Sequence, residues 1–429
     1  MTETRAVLEV STQSTKRRVN RIAVAVAVAM LPAWSLSFAE SARGVVLTMI
    51  TVVAVLLVLA TAIDGEALAG LRTRPATVIL FAVLAAGAII AFVFNPSGAG
   101  AILAFSIVAP IGIVLSVSRY STFELRSYVA LPLLVTTAIQ AVVVAVQTAT
   151  ESAVGYSLLH PGGTLLVTND TIVRPQGMFD HVYEPAAVAL ITIGIGLALL
   201  PESGRLRTGF LVGVGAAATT IALTHSRSAL LGLLLVLLIA AVAAFRGDRG
   251  LRAGLVVVAA AFVIPALLTA SAWQVRFDES ATSDLDDASL GRVTLARQAI
   301  TMAGDHPIVG VGPNRYMAVL EAKYTVDETY PYVVHNEPLM LAAELGIPAA
   351  VVVTLLLVWA GAQAVRAGYR PLLLYAAPLA FVVFDVLLYN KPVGLVLFAV
   401  WAGVMAAVTA GSRESRVESR ESQVAKRKS

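Results

Sequence analysis

The sequence predicts an all-α polytopic membrane protein with about twelve transmembrane helices and a large, partly helical outer loop between spans nine and ten. Two observations lead to this fold class. The 429-residue chain is 58% hydrophobic and only 14% charged, and its mean hydropathy is +0.82, which is more apolar than a soluble core of this length requires. In addition, its apolar runs recur at the length of about 17–25 residues that a helix needs to cross a bilayer.

Twelve apolar runs fit that length, with an error of a few residues at each boundary. They cover about 22–39, 44–63, 76–94, 101–118, 128–149, 186–200, 209–224, 229–245, 254–272, 338–361, 372–389 and 393–410. The predicted parts are therefore an N-terminus (1–21), spans one to nine (22–272), an extracytoplasmic loop (273–337), spans ten to twelve (338–410) and a charged tail (411–429). Because residues 1–20 and 411–429 lack apolar periodicity, we predict that both ends are disordered.

The lysines and arginines predict the orientation, since short cytoplasmic loops of membrane proteins are enriched in them. With the N-terminus inside, every short inner loop is basic, whereas the outer loops 95–100 and 390–392 contain one lysine between them. We therefore predict a multi-pass protein of the cytoplasmic membrane with both termini in the cytoplasm. Ser37-Phe-Ala39 resembles a signal-peptidase site, but the apolar run before it is longer than that of a cleaved signal, which favours a retained first span.

Composition also restricts the chemistry. The chain has no cysteine, which excludes disulfides and thiolate metal sites. The net charge of +4 is accounted for by the inner loops, so we expect membrane lipids and no nucleic acid as partners. We interpret the acidic stretch 277–287 as a solvated loop rather than a cation site, and we predict no metal and no cofactor.

Histidines and arginines collect on the predicted outer face. All five histidines fall in outer loops or at outer span ends, namely His160, His181, His225, His306 and His335. Six arginines do so as well, against the positive-inside tendency: Arg174, Arg227, Arg276, Arg292, Arg297 and Arg315. Because charged groups in or beside spans are costly and usually functional, this distribution predicts a polar site that faces outward.

Two stretches of that face stand out. In "LTHSRSALLG" (223–232), a four-residue turn contains Arg227, whose guanidinium either snorkels to solvent or points into the bundle, where it would suit a lipid-linked phosphate. In "YVVHNEPLMLAAELG" (332–346), Asn336 is a good helix cap, so His335 should lie just outside the helix, at the interface. Glu344 lies about two turns deeper on nearly the same face, which predicts a cleft beneath His335. The alternative is an ordinary interfacial histidine with a buried structural glutamate.

The predicted outer loop contains further candidate elements. Residues 290–303 are expected to form a helix that stops before Pro307, with Arg292 in its first turn. The glycines of "GVGP" (310–313) do not match a nucleotide-binding fingerprint. We expect them to form a tight turn that packs the loop onto the membrane domain.

These motifs together resemble the O-antigen ligase and polymerase family of membrane glycosyltransferases. "THSRS" at a span start, "GR" opening a loop helix, "HPIVGVGPNRY" and "HNEPLMLAAELG" follow one another in the family's order over about 222–348. The family's topology, with twelve spans and the large outer loop, extends the resemblance to nearly the whole chain. The stretch "RPQGMFDHVYEPAAVA" (174–189) departs from it, since Asp180-His-Val-Tyr-Glu-Pro185 replaces an Asn-Pro-Asn-like turn. The roles of His160, His181, His306 and Glu184 stay open.

The resemblance implies a donor in which a glycan is linked to polyprenyl diphosphate, and an acceptor that is a glycan or a lipid. It implies that Arg227 and Arg292 hold the donor diphosphate and that His335 acts at the reacting centre, three residues that we predict to converge on one cleft. Two arginines can stabilise a leaving diphosphate without a metal, and an imidazole can take the acceptor proton. We assign substrate binding to Arg174, His225, Arg315, Asn336 and Glu344.

Two other classes of protein compete with this interpretation. A transporter or flippase for an anionic lipid-linked sugar would use the same arginines for binding. It would also need polar groups near mid-bilayer and two related halves, whereas Gln140 and Asp385 are the obvious deep candidates besides Glu344 and the halves differ. A non-catalytic membrane subunit would not need the cluster of histidines and arginines. The sequence leaves open whether a ligase or a polymerase is present.

Overall fold

The described residues fold into helices joined by short loops, with one small β-hairpin. The structure is a computed structural model, and it describes residues 2–35, 53–54, 56–60, 75–159, 165–168, 172–201, 204–278, 287–324, 333–386, 389 and 391–428. The helices are α1 (Thr2–Ala29), α2 (Pro75–Phe94), α3 (Gly98–Val117), α4 (Thr122–Thr150), α5 (Tyr183–Ala198), α6 (Gly204–Thr224), α7 (Arg227–Phe245), α8 (Arg249–Leu268), α9 (Ala270–Asp278), α10 (Asp287–Asp305), α11 (Glu337–Leu345), α12 (Ile347–Ala367), α13 (Tyr369–Phe384) and α14 (Pro392–Lys428).

Shorter elements complete the architecture. A 3₁₀ turn covers Leu31–Ser35, and helical turns cover Tyr156–Leu159, Tyr316–Val319 and Leu320–Tyr324. The hairpin pairs β1 (Leu166–Thr168) with β2 (Ile172–Arg174) in antiparallel register, with Val167 opposite Val173. This hairpin lies just before α5 and delivers Arg174 to the chain segment that enters that helix.

Six of the described helices are long and apolar enough to cross a bilayer: α4, α6, α7, α8, α12 and the part of α14 that ends at Ser412. Three shorter apolar helices cover Ala82–Phe94, Tyr183–Ala198 and Tyr369–Phe384. An all-α membrane protein is therefore consistent with the described residues, and the number of twelve spans stays a prediction. The expected span 44–63 lies mostly outside the described residues.

Helix α5 occupies the centre of the bundle. All of its residues from Glu184 to Ala198 are buried, as expected for a helix that is apolar on every side. It packs against α4, α6, α7 and α13, and small residues allow the close approach. A Cβ added at Gly194 would lie 2.8 Å from the Cβ of Ala377. The N-terminus of α5 is consequently held at a fixed position among its neighbours.

Both chain ends differ from the predicted disorder. Helix α1 begins at Thr2, and α14 continues without a break from its apolar part to Lys428. In each case the polar segment is contiguous with an apolar helix. Extending an existing helix adds one hydrogen bond for each residue fixed, whereas starting a new one is unfavourable. A segment without apolar periodicity can therefore still be helical when it continues an apolar helix.

The predicted span 338–361 is divided by Gly346, which separates α11 from α12. Gly346 has a φ of +91°, a conformation that side chains other than glycine rarely adopt. A Cβ at this position would collide with the main-chain carbonyl of Ile308. The expectation of one continuous helix was therefore wrong at this residue, and the reason is the packing of a loop against the break.

That loop also supplies hydrogen bonds to the main chain at the break. The amide of Val311 donates to the carbonyl of Ala343 at 2.8 Å, and the amide of Gly312 donates to the carbonyl of Glu344 at 3.0 Å. Main-chain groups freed by a helix break need such partners when water is excluded. The tight glycine turn predicted for "GVGP" is confirmed, and it does pack onto the helices.

Candidate functional site

His335 lies directly before the first turn of α11, where a capped helix fixes its main chain. The Asn336 side chain accepts a hydrogen bond from the amide of Leu339 at 3.0 Å, which confirms the predicted helix cap. The same side chain donates to the carbonyl of Val383 at 3.1 Å and so joins α11 to α13. The His335 side chain itself is 34% exposed, so it is positioned rigidly and still reaches solvent.

An aspartate faces His335 from the end of α13. The Nδ1 atom of His335 lies 3.4 Å from the Oδ1 atom of Asp385, whose side chain is mostly buried. The same oxygen accepts a hydrogen bond from the amide of Val386 at 3.0 Å, which fixes the carboxylate. A proton held on Nδ1 towards Asp385 leaves Nε2 unprotonated and available as a base.

The entrance to α5 carries a second group of charges. The Nζ of Lys391 lies 2.8 Å from the Oδ2 of Asp180 and 3.5 Å from the Oε1 of Glu184, which is fully buried. Burial opposes the charge on Lys391, but the two carboxylates outweigh it and raise the pKa of the lysine. These three residues tie the loop before α14 to the N-terminus of α5.

His181 interacts electrostatically with members of both groups. Its ring packs on that of Tyr183 with 4.2 Å between centroids. Burial, helped by the charges of Lys391 and Arg174, lowers the pKa of His181 to about 4. The imidazole is therefore neutral at physiological pH. Asp385 acts on it in the opposite direction, so His181 lies within electrostatic reach of the aspartate that faces His335.

His225 occupies the turn between α6 and α7 and is almost completely buried. It has a φ of +51°, its Nε2 lies 3.2 Å from the Oγ1 of Thr269, and its ring meets that of Trp273 edge-on at 5.4 Å. Burial, with contributions from Arg174 and Arg276, lowers the pKa of His225 to about 4. Its described contacts are thus with protein, and the predicted substrate contact stays untested.

Arg227 follows this turn as the first residue of α7. The preceding Ser226 caps the helix, since its Oγ accepts a hydrogen bond from the amide of Ala229 at 3.3 Å. The Arg227 side chain is partly buried rather than fully extended into solvent.

Arg174, at the end of β2, lowers the pKa of both His181 and His225. These two histidines and Arg174 therefore belong to one polar region at the His335 end of the bundle.

The remaining predicted arginines come from the segments between α9 and α11. Arg292 is exposed on α10, one turn before Leu295 and two before Ala299, whose side chains are buried, and α10 packs against α11. Arg315 directly precedes the helical turn Tyr316–Val319 and is partly buried. The convergence of Arg227, Arg292 and His335 on one cleft stays a prediction.

Glu344 is buried at the C-terminal end of α11 and binds the main chain of the preceding loop. Its two carboxylate oxygens accept hydrogen bonds from the amides of Asn314 at 2.7 Å and Tyr316 at 2.9 Å. The side chain is 1% exposed. These contacts fit the alternative of a buried structural glutamate, which fixes the segment that carries Arg315.

Within the described ranges, no group of three histidine, aspartate or glutamate side chains is arranged to hold a metal ion.

Comparison with protein families adds an independent finding. Residues 212–354 match the O-antigen ligase family model. The resemblance drawn from the motifs is therefore confirmed from residue 212, within α6, to residue 354, near the start of α12. None of the curated proteins compared matches the chain.

The O-antigen ligase match includes most of the residues selected from the sequence, namely His225, Arg227, Arg292, Arg315, His335, Asn336 and Glu344. Arg174 lies before it. Asp385 and Lys391 lie after it, and sequence reasoning assigned neither of them to the site. Asp385 did carry a signal, because it is the acidic residue within the apolar run 372–389. Lys391 was visible as the single lysine of two predicted outer loops, but only the fold brings it to Asp180 and Glu184.

Proposed function

We propose that the protein is a membrane glycosyltransferase that moves a glycan from a polyprenyl-diphosphate carrier to an acceptor hydroxyl on the outer side of the cytoplasmic membrane. The observation that carries the proposal is the solvent-reaching His335, which lies within the segment that matches the O-antigen ligase family and is backed by Asp385 at 3.4 Å. A positioned imidazole with a carboxylate behind it is suited to removing a proton from a hydroxyl group.

In the proposed reaction, the acceptor oxygen attacks the anomeric carbon of the donor sugar. The bond from that carbon to the diphosphate oxygen breaks, and the electron pair leaves with the polyprenyl diphosphate. The acceptor proton passes to Nε2 of His335, while Asp385 stabilises the imidazolium that forms. Arg227 and Arg292 hold the diphosphate, because a guanidinium makes bidentate hydrogen bonds to phosphate oxygens and stays charged.

The other selected residues take supporting parts in this proposal. Arg174 and Arg315 supply positive charge for phosphate or for an acidic sugar, and His225, neutral in its buried turn, fixes the main chain from which Arg227 projects. Asn336 orients His335 by capping α11. Glu344 acts as a positioning residue, since it holds the loop in which Arg315 lies. The acceptor, either another lipid or glycan or the growing chain, determines whether the enzyme is a ligase or a polymerase.

The purified full-length protein, incubated with a polyprenyl-diphosphate glycan and an acceptor glycan, should release polyprenyl diphosphate. His335→Ala and His335→Gln should each lose on the order of 10²–10⁴-fold in rate while still binding the donor. An amide can donate and accept hydrogen bonds, but it cannot take a proton at neutral pH.

His306→Gln is the matched control, because His306 lies at the end of α10 and bonds through its main chain to Met302. This variant should keep near-native turnover. Near-native turnover in His335→Gln would instead remove His335 as the base. If the wild-type protein releases no diphosphate but moves the intact donor across vesicles, the transporter interpretation replaces the glycosyltransferase.

A further inference from the structure

A cavity of about 460 Å³ lies at the end of the bundle opposite to His335. Its wall includes the C-terminal end of α5, the turn between α7 and α8, and the first residues of α13. The polar lining residues are Arg207, Asp248, Arg249, Tyr369 and Arg370. None of these residues belongs to the candidate glycosyltransferase site.

The two sites are separated by the length of one helix. Helix α13 begins at Tyr369, in the wall of the cavity, and ends at Phe384, directly before Asp385. At a rise of 1.5 Å per residue, the 16-residue helix places them about 24 Å apart. The cavity therefore lies near the membrane surface opposite to the one that holds His335.

Three loops that are distant in sequence meet around this cavity. A guanidinium nitrogen of Arg207 donates to the carbonyl of Gly250 at 3.2 Å. The hydroxyl of Tyr369 hydrogen-bonds to the carboxylate of Asp248, and the Nε of Arg370 donates to that hydroxyl at 3.1 Å. These contacts fix the position of the walls, so the cavity is a built feature rather than a gap between mobile loops.

Among the lining residues that the structure describes, three guanidinium groups face one carboxylate, which gives this part of the wall a net positive charge. The carboxylate of Asp248 is engaged by the protein, since its Oδ1 accepts a hydrogen bond from the amide of Leu251 at 3.1 Å and its Oδ2 is bonded to Tyr369. The positive-inside tendency explains basic residues in each loop separately. It does not require that arginines from three loops surround one cavity, an arrangement that suits an anionic phosphate group.

An exposed apolar stripe ends beside the cavity. Leu238, Val242 and Phe245 follow one another along one face of α7, and all three are exposed, Phe245 at 86%. The stripe ends two residues before Gly247, which lines the cavity. A lipid whose acyl chain lies along this stripe would have its headgroup at the cavity, whereas a free phosphate ion has no apolar part that could contact the stripe.

We propose that this cavity binds the phosphate headgroup of an anionic membrane lipid, with Arg207, Arg249 and Arg370 as the recognising groups. Basic pockets between transmembrane helices are suited to such headgroups. The bound lipid would tie the α5–α6, α7–α8 and α12–α13 loops together and stabilise the bundle from the side opposite to the candidate active site. This inference does not depend on the proposed glycosyl transfer.

The test measures the thermal stability of the full-length protein in a mild detergent as lipid is titrated. Phosphatidylglycerol should raise the unfolding temperature, since a ligand that binds only the folded state stabilises it. Phosphatidylcholine, whose choline group neutralises the phosphate, should do so much less. Arg249→Gln and Arg370→Gln should each weaken the apparent affinity for phosphatidylglycerol about tenfold, the effect of losing one charged hydrogen bond.

Arg246→Gln is the control, because Arg246 is an exposed neighbour in the same turn that does not line the cavity. It should leave the affinity for phosphatidylglycerol unchanged. An equal loss in Arg246→Gln would reduce the effect to diffuse surface charge, and equal stabilisation by phosphatidylcholine would reduce it to general lipid binding. Inorganic phosphate that protects as well as the lipid would overturn the lipid assignment. If Arg370→Gln fails to fold, Arg249→Gln alone decides, because the Arg249 side chain is exposed and its replacement should leave the fold intact.

Discussion

The Nδ1 of His335 lies 3.4 Å from the Oδ1 of Asp385, although 50 residues separate the two in the sequence. Three further contacts fix the geometry of this pair. Asn336 caps α11 and also bonds to the carbonyl of Val383 near the end of α13, and the amide of Val386 holds the Asp385 carboxylate. The imidazole is thereby fixed from both helices, and its second nitrogen is directed away from Asp385.

Asp385→Asn should lower the rate of transfer by about 10–10³-fold while donor binding changes little. The amide can bond to Nδ1 without stabilising an imidazolium, and it can favour the wrong tautomer of His335. Steady-state kinetics should show the loss in kcat rather than KM. Asp180→Asn is the comparison, because Asp180 pairs with Lys391 instead of His335. An Asp385→Asn enzyme with an unchanged kcat would show that the pair has no part in the reaction.

Arg227→Lys and Arg292→Lys should each weaken donor binding and transfer together, by about 10–10²-fold. An ammonium group is a point charge and cannot reproduce the two parallel hydrogen bonds of a guanidinium to a diphosphate. Arg297→Lys serves as the control, since Arg297 is exposed on the same helix as Arg292. Binding of a labelled donor and single-turnover rates would be measured in parallel. Full activity in Arg292→Lys would mean that this residue supplies only general positive potential.

Glu344→Gln should destabilise the protein by about 1–3 kcal/mol. The two carboxylate oxygens now accept hydrogen bonds from two main-chain amides, and in the variant the NH₂ group of the glutamine would face one of those amides without an acceptor. The unfolding temperature should fall, while the folded fraction keeps its affinity for the donor. Glu321→Gln, at an exposed position of the neighbouring helical turn, should lower stability much less. A variant of Glu344 with native stability but weakened donor binding would instead support the direct substrate contact predicted from the sequence.

Local patterns were sufficient to predict the parts of this fold that depend on local chemistry. The cap at Asn336, the helix over 290–303 and the glycine turn at 310–313 all follow from residue types at fixed offsets, and the structure confirms them. The break at Gly346 was missed, because hydropathy averages over a window and does not register a single glycine on which a loop packs. That loop contact joins segments that no local pattern connects.

The candidate site likewise contains residues that local motifs identify and residues whose partners only the folded structure supplies. His335, Arg227 and Arg292 were selected because their types and neighbours match a motif, and the family match covers them. Asp385 and Lys391 gain their partners only when α13 and the start of α14 fold against α11 and α5. A pairing between residues so far apart has no periodic signal in a single sequence. The direction of the Glu344 side chain was likewise set by the loop that its carboxylate binds.

The stability of the folded protein should fall as the pH drops from about 7 to 4, and the buried His225 should account for part of the loss. Burial lowers the pKa of His225 from 6.5 to about 4, so the unfolded chain takes up a proton at higher pH than the folded chain does. The contribution of the neutral His225 to the free energy of unfolding is fully present above pH 6.5. It is lost progressively as the pH falls towards 4, and it decreases no further below that value. Between pH 7.5 and 5 the loss for one such histidine is about 2 kcal/mol. His181, whose pKa is lowered to the same value, adds a similar loss.

Thermal unfolding at both pH values would be compared for the wild type and His225→Asn, since asparagine tolerates the left-handed main chain at this turn. The variant should be less stable at pH 7.5, because the contacts with Thr269 and Trp273 are gone, and yet lose less between the two pH values. An equal pH dependence in His225→Asn would show that the buried imidazole is not the group that titrates.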